Sequence, residues 1–238
     1  MGHSGPPDTP ITTAPGYGQS SHYLGPAGEH YFAWQAADGI AGGELEARKL
    51  RPLLGTPQSV LDFGCGGGFL LDVLRRTIPV VSGVEPNPAA RAECIRRGLE
   101  VGASLGDFAG RRFDAIVSNH CLEHVPYPIE ALRQMKACLA AEGVLVLALP
   151  IDDWRTQRDF RRPDVNHHLH TWTPLLIRHS LMEAGLETVR ADVLTSAWPR
   201  SWQTLSRLLP APAFDVACTV WGWLTRRRQL LVIARHPI

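Results

Sequence analysis

Short apolar runs alternate with helix-like stretches through the middle of this chain. Ser59–Phe63, Val80–Val84, Leu99–Val101, Phe113–Ser118 and Val144–Leu149 each read as a buried strand. Between them lie helical signals: Phe69–Arg76; Asn87 as an N-cap before Pro88, with a stop at Gly98; and Pro128 leading Ile129, Leu132, Met135 and Leu139 on one face to a stop near Gly143. Thr173-Pro174 opens a further helix closed by Gly185, and Leu186–Leu194 and Gln229–Ala234 read as two last strands. Strands alternating with helices at this spacing predict an α/β protein, a doubly wound and mostly parallel sheet.

Ahead of this alternation, Ala27 to Ala37 predicts a helix carrying Tyr31, Trp34 and Gln35 towards the domain, and Gly43 to Leu54 predicts a second helix. Residues 1–21 hold mainly Gly, Pro, Ser and Thr and predict a disordered tail, leaving 22–238 as one domain whose N-terminal helices occupy 22–56. Residues 151–171 lack any period and predict a functional loop. Between the last two strands, 195–228 carries Trp198, Trp202, Phe214, Trp221 and Trp223 and predicts an insertion with one or two apolar helices. Its apolar run Phe214 to Leu224 precedes Arg226-Arg227-Arg228. At 11 residues the run is too short to span a bilayer, but an apolar segment with a basic end predicts weak peripheral membrane contact through 205–228. Packing on the sheet edge, a lid and a dimer contact are the competing readings.

The chemistry begins at Val60-Leu61-Asp62-Phe63-Gly64-Cys65-Gly66-Gly67-Gly68-Phe69, where four glycines fall within five residues at the end of a strand. Glycine lets a ligand approach the backbone closely, as a ligand at the carboxyl edge of a parallel sheet requires. A dinucleotide fingerprint needs its third glycine at position 69, which is Phe69, and no Gly-Lys-Ser/Thr follows to make a phosphate loop. Glu85, followed by Pro86, closes the next apolar run, 85 − 62 = 23 residues after Asp62. A carboxylate there can accept both hydroxyls of a ribose, so loop and acid together predict an adenosine-type ligand.

These residues resemble the class I S-adenosylmethionine-dependent methyltransferases. Leu61–Gly68 is similar to their first motif, Val84-Glu85 to their ribose-binding acid, and Phe113–His120 with Leu122-Glu123-His124-Val125 to their fourth-strand region. The resemblance implies a Rossmann-like seven-stranded fold whose last strand runs antiparallel between the fifth and sixth, and S-adenosyl-L-methionine as cofactor. It assigns cofactor contacts to Asp62, Gly64, Cys65, Gly66, Gly68, Phe69, Glu85, Pro86, Ser104, Leu105, Asn119 and His120. Asp62 is matched to the methionine ammonium and 103–105 to the adenine; Asp107 stands two to three positions late for the acid that many relatives place there. The closest likeness is to ubiquinone-biosynthesis O-methyltransferases and similar bacterial enzymes, implying a small-molecule acceptor methylated at oxygen. A non-catalytic module that only binds the cofactor is the alternative; a nicotinamide dehydrogenase is disfavoured by Phe69.

For a hydroxyl acceptor a base is useful, and histidine suits that work. His120 and His124 follow the fourth strand and His167, His168 and His170 the fifth, both at the ligand-binding edge; His120, His170 and His124 are the catalytic candidates. No carboxylate cluster stands beside 166–172, so no metal is predicted. Net charge is +1, from 24 basic and 23 acidic residues, leaving no electrostatic footprint for nucleic acid. The five cysteines form no C-x-x-C pair and the N-terminus resembles no signal peptide, so a reducing cytoplasm is expected. Cys65 and Cys121 read as packing residues.

Overall fold

A computed structural model describes residues 16–153, 155 and 167–237. The predicted tail over 1–15, most of the 151–171 loop and the side chain of Trp34 lie outside the described residues.

Seven strands form one sheet in the order β3-β2-β1-β4-β5-β7-β6. They are β1 Ser59–Phe63, β2 Val80–Val84, β3 Glu100–Gly102, β4 Phe113–Asn119, β5 Leu139–Ile151, β6 Glu187–Thr195 and β7 Arg228–Arg235. All neighbours run parallel except β7, which is antiparallel to both β5 and β6. The expected doubly wound topology, with an insertion before the last strand, is therefore present. The starts of β1 and β4 are clipped together by Asp114, whose Oδ2 accepts from the Gln58 and Ser59 amides, each at 2.9 Å.

The alternation of side chains across the central strands divides the core in two. Leu61, Ile116, Leu145 and Leu147 point to one face, with Leu132 and Met135 of α4 (Pro128–Cys138) and Ile177 and Leu181 of α5 (Pro174–Glu183). Val60, Ala115, Val117, Val146 and Ala148 point to the other, against Leu50 of α1 (Pro26–Leu50) and Leu71 and Leu74 of α2 (Phe69–Leu74). Each such aliphatic side chain contributes roughly 1.5–3 kcal/mol by leaving water. α3 (Pro88–Arg96) starts as expected: the Asn87 side chain accepts from the Ala89 and Ala90 amides. Thr173 caps α5 through the Leu176 amide.

Four boundaries differ from the sequence reading. The two predicted N-terminal helices are one element kinked at Gly39, whose φ of 52° only glycine adopts without strain. α4 ends at Cys138 rather than near Gly143, because Leu139 already pairs with Phe113 and starts β5; a register irregularity between Phe113 and Ala115 absorbs the offset. Tyr17, inside the predicted tail, is buried and packs edge-on against Phe63 at 5.3 Å; one aromatic anchors a segment whose composition reads as unstructured. The last difference is a matter of extent: β6 and β7 are each about a residue displaced from expectation.

The insertion holds α6 (Trp202–Leu208) and α7 (Ala211–Leu224). Trp202, Phe214 and Cys218 form a small core of their own with Ala41 and Leu45 of α1 and with Trp198. One face of the insertion thus packs against α1, where the sequence reading expected packing on the sheet edge. No helix among the described residues is long and apolar enough to cross a membrane.

Candidate active site

A cavity of about 320 Å³ opens at the carboxyl edge of the sheet. Its floor is Asp62, Gly64, Cys65 and Gly66 after β1 and Glu85-Pro86 after β2. Asn119, His120 and Cys121 after β4 form one wall; Tyr31, Gln35 and Glu46 of α1 form another. The segment from Tyr17 to Tyr23 crosses the mouth, held by the Asn87 side chain, which donates to the Tyr23 carbonyl at 2.8 Å, and by the Tyr127 amide, which donates to the Tyr17 carbonyl at 3.0 Å.

The loop is shaped by its glycines. Gly64 and Gly66 sit at φ 81° and 54°. A Cβ on Gly64 would lie 2.2 Å from the Cys121 sulfur, and one on Gly66 would lie 2.3 Å from Gln35 Oε1. The Gly64 and Cys65 amides both donate to the Val84 carbonyl, at 2.8 and 3.0 Å, which ties the loop to the neighbouring strand. Glu85 accepts from the Gly66 amide at 3.0 Å and the Asn87 amide at 2.8 Å, one on each oxygen. Each oxygen of that carboxylate, which lines the cavity, can still take a second donor.

Asp62 and Glu85 are both buried, 2% and 4% exposed. Burial, and then the charge of Glu85, pushes the Asp62 carboxyl up to about 7. Burial pushes Glu85 to about 7 as well, against the pull of the Asn87 and Gly66 amides. Among the described residues, Asp62 Oδ1 and Asn119 Oδ1 are buried without a hydrogen-bond partner. A buried acceptor left unsatisfied costs about 1–3 kcal/mol, and two of them lining one cavity indicate donors supplied by a ligand. An ammonium beside Asp62 and ribose hydroxyls beside Glu85 meet that need, and the glycine loop leaves room where a Cβ would intrude. The residues therefore fit S-adenosylmethionine.

Of the predicted cofactor contacts, Asp62, Gly64, Cys65, Gly66, Phe69, Glu85, Pro86, Asn119 and His120 line the cavity. Gly68, Ser104 and Leu105 do not. Gly68 (φ 77°) instead turns the chain into α2. Leu105 is core, and Ser104 forms a capping box with Asp107, whose carboxylate takes the Ala103 and Ser104 amides. That use explains the displaced acid: it closes a 3₁₀ turn. Asp38, just past the first predicted helix, and Glu46, within the second, also line the cavity, and nothing in the sequence reading singled them out.

The histidines separate. His120 lines the cavity with a side chain 40% exposed and a strained φ of 52°. His124 also lines it; burial holds its imidazole below its ordinary pKa. His170 is not among the lining residues, and its Nε2 engages the Val125 carbonyl at 3.0 Å. It ties the segment after β5 to the turn after β4. The Cys65 thiol is held well above its ordinary pKa by its Cys94 neighbour and by burial, and the Cys121 thiol by burial, so both are packing groups.

A cavity lined by a glycine loop and two buried carboxylates at the edge of a 3-2-1-4-5-7-6 sheet is the arrangement expected of a Rossmann-like methyltransferase. A family model described as a methyltransferase domain matches residues 42–191, more than half the chain, and the chain belongs to that family, the class I S-adenosylmethionine-dependent methyltransferases. The ubiquinone biosynthesis O-methyltransferase of Actinobacillus pleuropneumoniae is 34% identical over 102 residues, 37% of this chain and 44% of that protein. The chain thus matches less than half the length of this relative. A SAM-dependent methyltransferase from Archaeoglobus fulgidus has the same fold at TM-score 0.61 and 18% identity, covering 86% of this chain and 98% of that one. Geranyl diphosphate C-methyltransferase from Streptomyces coelicolor, solved with S-adenosyl-L-homocysteine, shares it at TM-score 0.59 and 17% identity, over 82% and 79% of the two chains.

Proposed function

We propose that this protein moves a methyl group to a hydroxyl oxygen of a small-molecule acceptor, such as a quinone or lipid precursor, a sugar or a natural-product intermediate. The observation that carries the reading is His120: a partly exposed imidazole on a strained backbone, in the same cavity as the two buried carboxylates. Its partial match to O-methylating relatives supports oxygen as the accepting atom.

S-adenosylmethionine supplies an electrophilic methyl on a sulfonium. Asp62 would hold the ammonium end, Glu85 the ribose hydroxyls, and the Asn119 side chain would fix the methionine portion. His120 then removes the acceptor's hydroxyl proton as the oxygen–carbon bond forms. Alignment supplies much of the rest: holding two reactants in line is worth up to about 7–11 kcal/mol. A screen of phenolic, sugar and aliphatic hydroxyl acceptors, read by S-adenosylhomocysteine release, tests this. Release with amine acceptors and none with hydroxyl compounds would overturn it.

The insertion favours an acceptor presented at a lipid surface. Val216, Val220, Trp223 and Leu224 are exposed along α7, Trp223 at 72%, directly ahead of Arg226-Arg227-Arg228. Co-sedimentation with anionic vesicles at low salt, lost on Trp223→Ser with Val220→Ser, is the expected result. Protein left wholly in the supernatant would dispose of it.

A further inference from the structure

The helical wall of the cavity carries an acid for which the cofactor has no use, since Asp62 and Glu85 already answer its ammonium and ribose. Asp38 lines the cavity with Phe32, Gly42 and Trp198. Among the described residues its carboxylate joins no hydrogen bond or ion pair, and burial pushes its pKa up. Asp38 and Trp198 meet over Gly42: a Cβ on Gly42 would lie 3.1 Å from Asp38 Cβ and 3.5 Å from the Trp198 ring. Glycine inside a helix is destabilising, and Gly42 is not at a positive φ that would require it. Its neighbour Gly43 has a packing reason, because a Cβ there would strike the Phe69 carbonyl at 2.5 Å. At Gly42 the nearest atoms are the two side chains, and what the glycine leaves between them is an open notch bordered by an acid and an indole.

We propose that this notch holds a cationic nitrogen of the acceptor, a protonated amine or a quaternary ammonium, so that Asp38 and Trp198 select the substrate by charge. A cation is drawn both to a carboxylate and to an aromatic ring, and most strongly to the indole of tryptophan. The wall belongs to the acceptor side of the cavity. Glu46, further along the same helix, is close to the residues after β4: against burial, Lys49 first and then His120 and Asn119 hold its carboxyl below the ordinary range. Lys49 Nζ lies 2.5 Å from Glu46 Oε2, so the charge of Glu46 is already matched and that of Asp38 is not. Among the described residues the cavity lining has four carboxylates, Asp38, Glu46, Asp62 and Glu85, and no lysine or arginine. An acceptor bearing a phosphate or carboxylate would meet like charge there.

The proposal rests on the hydroxyl reading above for the atom that is methylated, and it narrows the acceptor to a hydroxyl compound that also carries a basic nitrogen, such as an amino sugar or a phenolic amine. With the nitrogen held at Asp38, the hydroxyl end is left for His120, which lines the same cavity.

Three phenols that differ in one group test the selection: tyramine carries an ammonium, tyrosol a neutral hydroxyl and 4-hydroxyphenylacetate a carboxylate. Each is titrated calorimetrically into the full chain saturated with S-adenosylhomocysteine, so binding is read apart from methyl transfer. Tyramine should bind about tenfold or more tighter than tyrosol, the usual worth of a hydrogen bond to a charged group, and 4-hydroxyphenylacetate should bind weakest. Asp38→Asn should lower the affinity for tyramine about tenfold while tyrosol and S-adenosylhomocysteine each stay within about twofold. Equal affinities for the three phenols, no binding of tyramine at millimolar concentration, or an equal change for all three in Asp38→Asn would overturn the proposal. A loss of S-adenosylhomocysteine affinity in Asp38→Asn with the preference for tyramine intact would give Asp38 to the cofactor, and would overturn it too. If the charge preference holds and mass spectrometry finds the methyl group on the nitrogen of tyramine alone, the hydroxyl reading fails and the selection by Asp38 stands.

Discussion

The two halves of the cavity are held by different means. On the β1–β2 side, position is set by backbone: glycines at positive φ, two amides on the Val84 carbonyl, and Glu85 pinned by two more amides. On the β4 side, His120 and His124 line the cavity from a turn whose backbone is strained at His120 and whose buried Glu123 carboxylate has no hydrogen-bond partner among the described residues. A backbone-built half suits a ligand that never changes. A side-chain-built half stores its cost in polar groups that only a particular acceptor relieves.

The largest expected effect lies on the acceptor side. His120→Ala should lower turnover by about 10²–10⁴-fold, the usual contribution of a general base, while the dissociation constant for S-adenosylmethionine stays within a few-fold. Single-turnover kinetics with calorimetry separates the two. A loss of cofactor affinity equal to the loss of rate would show that the halves are not independent.

Next comes the seam between them. Gly64→Ala places a Cβ 2.2 Å from the Cys121 sulfur at a φ of 81°. Overpacking and left-handed strain together should cost about 2–4 kcal/mol, read as a fall in Tm of roughly 5–15 °C for a domain of this size. Adding Cys121→Gly removes both close contacts, the sulfur and the Cβ at 2.5 Å, but not the strain, so the double variant should recover part of the loss. Full recovery would mean that the positive φ is incidental.

The same contrast explains what the sequence discloses. The strands, the glycine loop and Glu85 are legible because backbone requirements leave marks on neighbouring residues: glycine where φ is positive, an acid where an apolar run ends; the placing of the last strand came only from the family resemblance. His170 and His120 share a place at the sheet edge in the sequence, and the structure separates them: His120 lines the cavity while His170 Nε2 engages the Val125 carbonyl. Glu123 reads as the second residue of an ordinary helical turn. Its surroundings depend on the segment that folds over it from Leu169, 169 − 123 = 46 residues later, and no local pattern encodes that. Ser104 and Leu105 stand outside the cavity lining for the opposite reason: their turn is locally well formed, with Ser104 and Asp107 bonded to each other's backbone.

On the cofactor side, Glu85→Ala should weaken S-adenosylmethionine binding by about tenfold or more, since hydrogen bonds to a charged acceptor are worth roughly 1.5–3 kcal/mol. Part of the effect would come from the Gly66 and Asn87 amides, which lose their acceptor. Glu85→Gln keeps one acceptor for them and should lie between. Equal affinities in wild type and Glu85→Ala would take the ribose contact elsewhere.

The smallest effect is a pH dependence, and it runs in opposite directions for the fold and for the cofactor. Asp62 and Glu85 have carboxyls near 7 in the folded chain, raised first by burial; unfolded, they return to about 3.9 and 4.3. Between about pH 4 and pH 7 the folded state therefore binds more protons than the unfolded one, so stability falls as pH rises through that window. Binding a cationic ammonium demands the reverse, an ionised Asp62. Affinity for S-adenosylmethionine should drop by about five- to tenfold from pH 7.5 to pH 6, as expected when one group near 7 must lose its proton. Asp62→Asn removes that proton: it should bind weakly at both pH values, with a flatter profile, and its Tm without cofactor should decline less between pH 5 and pH 7.5. An affinity that rises on acidification would mean that Asp62 meets the ligand protonated, as a hydrogen-bond donor, and the backbone-built half would then owe its selectivity for the ammonium to something other than charge.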